Sequence, residues 1–312
     1  MKQTINKKRH QRGLSLIELM ISMVVGLFLL AGVVTNFIGT KDTDRTRLAV
    51  SEMDATSNFI FDTMRKAITH AGYVSVDPII QAVPGFYTER DATPLPNQTC
   101  GNGSQRDLTN MRMDRTRDLA NRDTLTVISL ADNPCRDGLS SCSNDADVDP
   151  EALVYYDCAG GGTNRDADDV ACSTDLNVGM PERAQARIYS SFRLLINAGS
   201  PNDRTLYCDG NRGGTQPLAE NVEAVQYLYG VREANNSVTF KNADQVSTDN
   251  DWEKVRSVQV ALLMRSSDAN LLKKDSDKIF YSLLDKKVDI DASDRRHLFR
   301  VYTTTINIEN LN

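Results

Sequence analysis

Histidine occurs only three times in the 312 residues, as His10, His70 and His297, and no two of the six cysteines form a Cys-x-x-Cys pair. Those shortages argue against a structural zinc site, which takes closely spaced sulfur and imidazole ligands. No glycine-rich phosphate loop or dinucleotide fingerprint is present, so nothing points to a nucleotide cofactor. No nucleophile elbow or metalloprotease motif occurs either, and an enzyme is not expected. Proline is missing from Met1 to Val76, so that stretch can stay helical. Charge is missing from Leu19 to Thr40, and those 22 residues are enough to cross a hydrocarbon core.

Beside that apolar run stands one carboxylate, Glu18, in Gly13-Leu14-Ser15-Leu16-Ile17-Glu18-Leu19-Met20, preceded by Lys7, Lys8, Arg9 and Arg12. A carboxylate inside a membrane segment costs about 2.5–3.5 kcal/mol on insertion scales, so it calls for a function. Two plainer readings fit less well. A secretory signal peptide has an apolar core of about 7–15 residues and a small-residue cleavage site, and this run is longer. A one-span anchor explains the basic flank but gives Glu18 no role.

The formal net charge is −6, and residues 1–13 carry five of the basic side chains, so a chain without them holds −11. That balance argues against a nucleic-acid grip, which needs a basic patch. The cysteines, Cys100, Cys135, Cys142, Cys158, Cys172 and Cys208, all follow the apolar run. An even number in an exported domain reads as disulfides, although six cysteines allow 15 pairings. The expected pairs are Cys135 with Cys142 across a Pro/Gly loop, and Cys158 with Cys208 at two strand ends.

Leu14 to Ala71 reads as one helix of about 85 Å at 1.5 Å per residue. Its second half is one-sided, with Ala49, Met53, Ile60, Met64, Ala67 and Ala71 at helical spacing and Ile68 alongside. Gly72 is the expected stop. Gly26, Gly32 and Gly39 either loosen the helix or let another helix approach closely. Residues 73–122 read as a long irregular connection. Strands are expected at 124–130, 152–156, 186–196, 222–231, 255–264 and 299–308, with loops at 132–150, 159–182, 198–204 and 209–216. The aromatics Tyr155, Tyr156, Phe192, Tyr227, Tyr229, Trp252, Phe299 and Tyr302 fall on these strands and read as core. The fold class is therefore α+β, a long N-terminal helix packed on an antiparallel sheet with extended loops. Asp145, Asp147 and Asp149 alternate as oxygen ligands of calcium can. The glycine and closing glutamate of an EF-hand are missing, so a solvated acidic loop is the expectation, with no cofactor and no metal.

The N-terminal segment resembles the signal of type IV prepilins and type II secretion pseudopilins. Glu220-Asn221-Val222-Glu223-Ala224-Val225-Gln226-Tyr227, Trp252 to Ser266 and Arg295 to Ile308 are similar to the PilW family of type IV minor pilins, itself similar to J-type minor pseudopilins. The resemblance implies cleavage between Gly13 and Leu14, methylation of the new N-terminus, and an assembly role for Glu18. Leu14 stands where that family usually has phenylalanine. It also implies four segments: a leader at 1–13, a membrane or filament-core half-helix at 14–40, an amphipathic half at 41–72, and a periplasmic domain at 73–312. The implied function is that of a minor pilin that primes, and caps, a type IV pilus. Implied partners are other minor pilins, the major pilin, the prepilin peptidase, the inner-membrane assembly platform and a tip adhesin. The implied location is the inner membrane before assembly and the pilus tip after it. Adhesion and twitching are associations at family level. A minor pseudopilin of type II secretion, a pilus-tip adhesin and a membrane-tethered periplasmic enzyme stay open as alternatives.

Overall fold

A computed structural model describes residues 16–72, 85–88, 98–99, 105–106, 116–119, 122–130, 156–160, 187–196, 204–210, 214–272 and 274–309. One helix, α1 (Leu16–Thr69), runs for 54 residues without interruption, as the absence of proline allows. The chain divides into two compact units, one up to Val50 and one from Ser51 onward.

Within the second unit, α1 buries Met53, Ser57, Ile60, Met64 and Ile68. These positions are three or four residues apart and form one stripe. Ser57 interrupts the apolar pattern but tolerates burial because its hydroxyl donates to the Asp54 carbonyl at 3.0 Å. The helix stops where the sequence places its stop. Gly72 has φ +68°, and its N–H donates to the Ile128 carbonyl at 2.9 Å instead of continuing the helix.

The strands, in chain order, are β1 (Gln98–Thr99), β2 (Gln105–Arg106), β3 (Leu125–Leu130), β4 (Arg187–Ile196), β5 (Arg204–Gly210) and β6 (Gly214–Glu220), then β7 (Val222–Arg232), β8 (Val238–Lys241), β9 (Val255–Arg265), β10 (Phe280–Leu283), β11 (Lys286–Asp289) and β12 (Phe299–Asn307). A short helix, α2 (Ala243–Asp249), follows β8 and opens on an Asn242–Gln245 capping box. β1 pairs with β2, and β10 with β11.

Two four-stranded antiparallel sheets stand where a single sheet was expected, with orders β3-β4-β5-β6 and β12-β9-β7-β8. The division falls at Asn221. It alone separates β6 from β7, and its φ of +60° is a left-handed conformation that ends one strand and redirects the next. Asparagine enters that region more readily than most residues. The expected loop at 209–216 is correspondingly shorter, since β5 runs to Gly210 and β6 begins at Gly214. β6 escapes a pattern search because Gly214, Thr215, Gln216 and Pro217 are exposed on an edge strand.

The central strands β7 and β9 of the second sheet are buried on both faces, which explains their near-continuous apolar runs. On one face Ala224, Ala261, Leu263 and Phe299 cluster with Leu283, Val288 and Ile290 of the β10–β11 region. The other face carries Val225, Tyr227, Tyr229, Val258, Val260 and Leu262, all buried. There the Tyr302 hydroxyl donates to Asp54 of α1 at 2.6 Å, and Arg300 reaches the same carboxylate at 3.1 Å. At the far end Phe86, Tyr229 and Trp252 pack edge-to-face or tilted against one another with ring centroids 4.9–5.6 Å apart. Of the aromatics expected in the core, Phe192, Tyr227, Tyr229, Trp252 and Phe299 are buried. Trp252 sits in a short 3-10 turn (Trp252–Lys254) rather than on a strand. Tyr156 is 65% exposed, a departure from expectation. It lies directly before the disulfide-bearing turn.

Candidate assembly interface

In the first unit the helix is apolar and uncovered. From Leu16 to Ile38 its large side chains are exposed, and the segment is long and apolar enough to cross a membrane. Its hydroxyl groups satisfy themselves. Ser22, Thr35 and Thr40 donate to the carbonyls of Glu18, Ala31 and Asn36 at 2.6, 2.8 and 3.0 Å, which removes most of the cost of placing them in hydrocarbon. Glu18 has no such outlet. It lies in the first turn of the described helix, where a carboxylate is favoured by the helix dipole, and among the described residues no cation reaches it. The space around Gly26, Gly32 and Gly39 is open, so none of the described residues uses them for close packing. Gly13 and Leu14 lie outside the described residues.

In the second unit, a disulfide joins Cys158 to Cys208, with Cα atoms 5.9 Å apart across a sequence separation of 50. Closing such a loop contributes about 2–4 kcal/mol by restricting the unfolded chain. Cys208 lies on β5, opposite Phe192 of β4, and the Cys158 N–H donates to the Ser190 hydroxyl at 3.0 Å. The buried Asp157 carboxylate occupies the space that a side chain at Gly210 would take, and its Oδ1 accepts from the Ala159 N–H at 3.0 Å. Gly210→Ala is therefore expected to displace the disulfide-bearing turn and to cost about 1–3 kcal/mol, the usual range for overpacking. Thermal unfolding of the full chain in detergent measures this, and an unchanged melting temperature would contradict it. Cys100, Cys135, Cys142 and Cys172, and the calcium candidates Asp145, Asp147 and Asp149, lie outside the described residues.

Three buried charge clusters escaped the sequence reading, because each unites residues distant in the chain. Arg193 and Asp209 form an ion pair across β4 and β5, with side chains 6% and 3% exposed. Asp209 also accepts from the Thr215 hydroxyl at 2.5 Å. Lys286 of β11 contacts Asp118, Asp123 at 2.9 Å and the Leu119 carbonyl at 2.6 Å. It thereby ties the β10–β11 hairpin to the segment that leads into β3. Burial pushes the Asp123 carboxyl up to about 7 and the Lys286 amine down to about 8, while their contact works in the opposite direction. Glu223 is pushed up by burial and held down by Arg204 and Arg265, which lie 3.1 and 3.8 Å from its oxygens.

The histidines are placed apart. His70 Nδ1 lies 2.8 Å from the Lys66 carbonyl at the exposed end of α1. His297 is buried, its Nδ1 2.7 Å from the Ser266 carbonyl. Arg300 of β12 is engaged with Asp54, and Arg296 donates to the Leu272 carbonyl at 3.2 Å.

Residues 8–34 match the model of the Prokaryotic N-terminal methylation motif, a range that includes Gly13, Leu14, Glu18 and most of the exposed apolar helix. Residues 194–310 match the model of the family described as Type IV Pilus-assembly protein W. That second match runs from the end of β4 through the whole second sheet. No curated protein and no solved structure matches the chain. A methylation-type N-terminus on an uncovered apolar helix is thus followed by a C-terminal region, residues 194–310, that is similar to the PilW family of type IV pilus-assembly proteins.

Proposed function

We propose that the chain is a minor pilin that helps to prime a type IV pilus and caps it. The observation that carries this reading is the uncovered apolar segment of α1 with Glu18 as its only charged group from Leu16 to Thr40, inside the matched methylation motif. Cleavage after Gly13 leaves an amine at Leu14. Glu18 pairs with the N-terminal amine of a neighbouring subunit, and in low dielectric that pairing offsets the burial of both charges and sets the axial register. The apolar helices supply packing without selectivity, and the globular faces choose neighbours. Before assembly the subunit waits in the inner membrane with its domain in the periplasm, and afterwards it sits at the pilus tip.

Intact-mass and N-terminal analysis of protein from membranes and from sheared surface filaments tests this. A chain beginning at Leu14 and present in filaments is the expected result. A chain beginning at Met1 and absent from filaments would return it to the tethered-domain alternative. Gly13→Ser is expected to abolish cleavage, leaving only the precursor on an immunoblot. A mature-sized band from that variant would count against the assigned site.

A further inference from the structure

Sheet edges invite pairing with other strands, and proteins blunt them with short strands, prolines, bulges or covering segments. Three of the four edges of the two large sheets show such devices. β8 is four residues long. β6 contains Pro217 and pairs with β5 across a register shift. β3 is covered where Phe86 bridges Val127, with hydrogen bonds from Tyr87 to Thr126 at 3.0 Å and from Ile128 to Gly85 at 2.9 Å. β12 differs from all of them. It is nine residues long, pairs with β9 in one unbroken register and has no proline.

Which groups on β12 are free follows from its hydrogen bonds. The Ile308 N–H donates to Arg256 at 2.9 Å, and the Leu298 carbonyl accepts from Ser266 at 2.8 Å. Orientation alternates along an antiparallel strand, so the even-numbered residues from Arg300 to Ile306 bond to β9. Val301, Thr303 and Thr305 then direct their N–H and C=O groups away from it. At the C-terminal end, the Glu309 N–H donates to the Thr69 carbonyl at 3.3 Å, so the end of α1 closes that part of the edge. Among the described residues no backbone group covers Val301, Thr303 or Thr305. Beside them lies a groove of about 380 Å³ between Phe61, Asp62 and Arg65 of α1 and Tyr302, Thr303 and Thr304 of β12.

We propose that this free edge is a strand-addition site, in which an extended segment of a neighbouring pilin-like subunit pairs with Val301, Thr303 and Thr305. The proposal rests on the reading of the chain as a subunit that assembles with others of its kind. The groove is lined by one carboxylate, Asp62, which pairs with Lys66 at 2.9 Å, and one guanidinium, Arg65, and so selects neither a strongly anionic nor a strongly cationic ligand. Phe61 and Tyr302 form an apolar wall on the helix side. The added strand accordingly places apolar or β-branched side chains toward α1 and polar ones over Thr303 and Thr305, with main-chain hydrogen bonds supplying affinity.

The test uses the full-length chain produced in cells that make the filament. Thr303→Pro removes an outward N–H while leaving the bonds to β9 in place, as edge prolines do. Thr303→Lys places a charge at the same edge, and Thr303→Val keeps the backbone donor. Pro and Lys are expected to lower the ratio of filament-bound to membrane-bound chain about tenfold, the effect of about 1.4 kcal/mol, with processing and melting temperature retained. Val is expected to behave as wild type. If all three variants are incorporated like wild type, the edge proposal falls while the pilin reading stands. If the wild-type chain itself is absent from filaments, both fall. Should Thr303→Pro fail to fold, the Lys and Val pair decides.

Discussion

Glu18→Ala is expected to leave leader processing intact and to reduce the filament-bound chain by about two to three orders of magnitude. The magnitude follows from removing one partner of a charge pair in low dielectric, which costs about 3–5 kcal/mol because the other charge stays buried and uncompensated. Glu18→Gln separates charge from shape, since the amide keeps the size and a hydrogen-bonding oxygen but cannot neutralise an amine. It is expected to assemble nearly as poorly as Ala. The hydroxyls of Ser22, Thr35 and Thr40 are satisfied within the helix, so their replacement by alanine should change little. The measurement is an immunoblot of sheared filaments against membranes. Normal recovery of Glu18→Ala in filaments would remove the assembly role of this residue.

Asp209→Ala is expected to destabilise the globular domain by about 3–5 kcal/mol, the cost of leaving the Arg193 guanidinium buried without its partner. The same variant leaves the Thr215 hydroxyl without its acceptor. Replacing both charges at once, as Arg193→Met with Asp209→Leu, is expected to recover most of the loss, because an apolar pair of similar volume carries no desolvation penalty. Thermal unfolding of the full chain in detergent reads both effects. If the double variant melts no higher than Asp209→Ala, the loss is not one of an orphaned charge. The pair spans β4 and β5 of the first sheet, whereas the open edge belongs to β12 of the second. Assembly defects from Asp209→Ala should therefore follow from lost folding and track its melting temperature.

The helix was legible because its signals are local and redundant. Proline is absent, the apolar run is unbroken, and the burial stripe from Met53 to Ile68 repeats every three or four residues. The long strands β4, β7, β9 and β12 were legible because each runs for nine residues or more with frequent β-branched and aromatic side chains. β8, β10 and β11, each four residues long, gave too few positions for a period to stand out, and edge exposure disguised β6. The pairing of Cys158 with Cys208 was suggested by two strand-like flanks, Tyr155-Tyr156-Asp157 and Leu206-Tyr207, and the structure joins these two cysteines.

By itself the sequence determined the helix, its anomalous carboxylate, the α+β class and the prepilin-like N-terminus. Each of these depends on residues within a few turns or a few positions of one another. Only the tertiary structure decided that the strands divide into two sheets, because that turns on the backbone of a single residue, Asn221, at φ +60°. Likewise only the fold brought Arg193 to Asp209, Lys286 to Asp123, and Arg300 and Tyr302 to Asp54. Their separations in the chain carry no periodic signal, and for Arg193–Asp209 and Lys286–Asp123 burial makes the pairing obligatory once the sheets have formed. Which edge of a sheet is left open is decided at the same level, since it depends on what every other strand has already paired with.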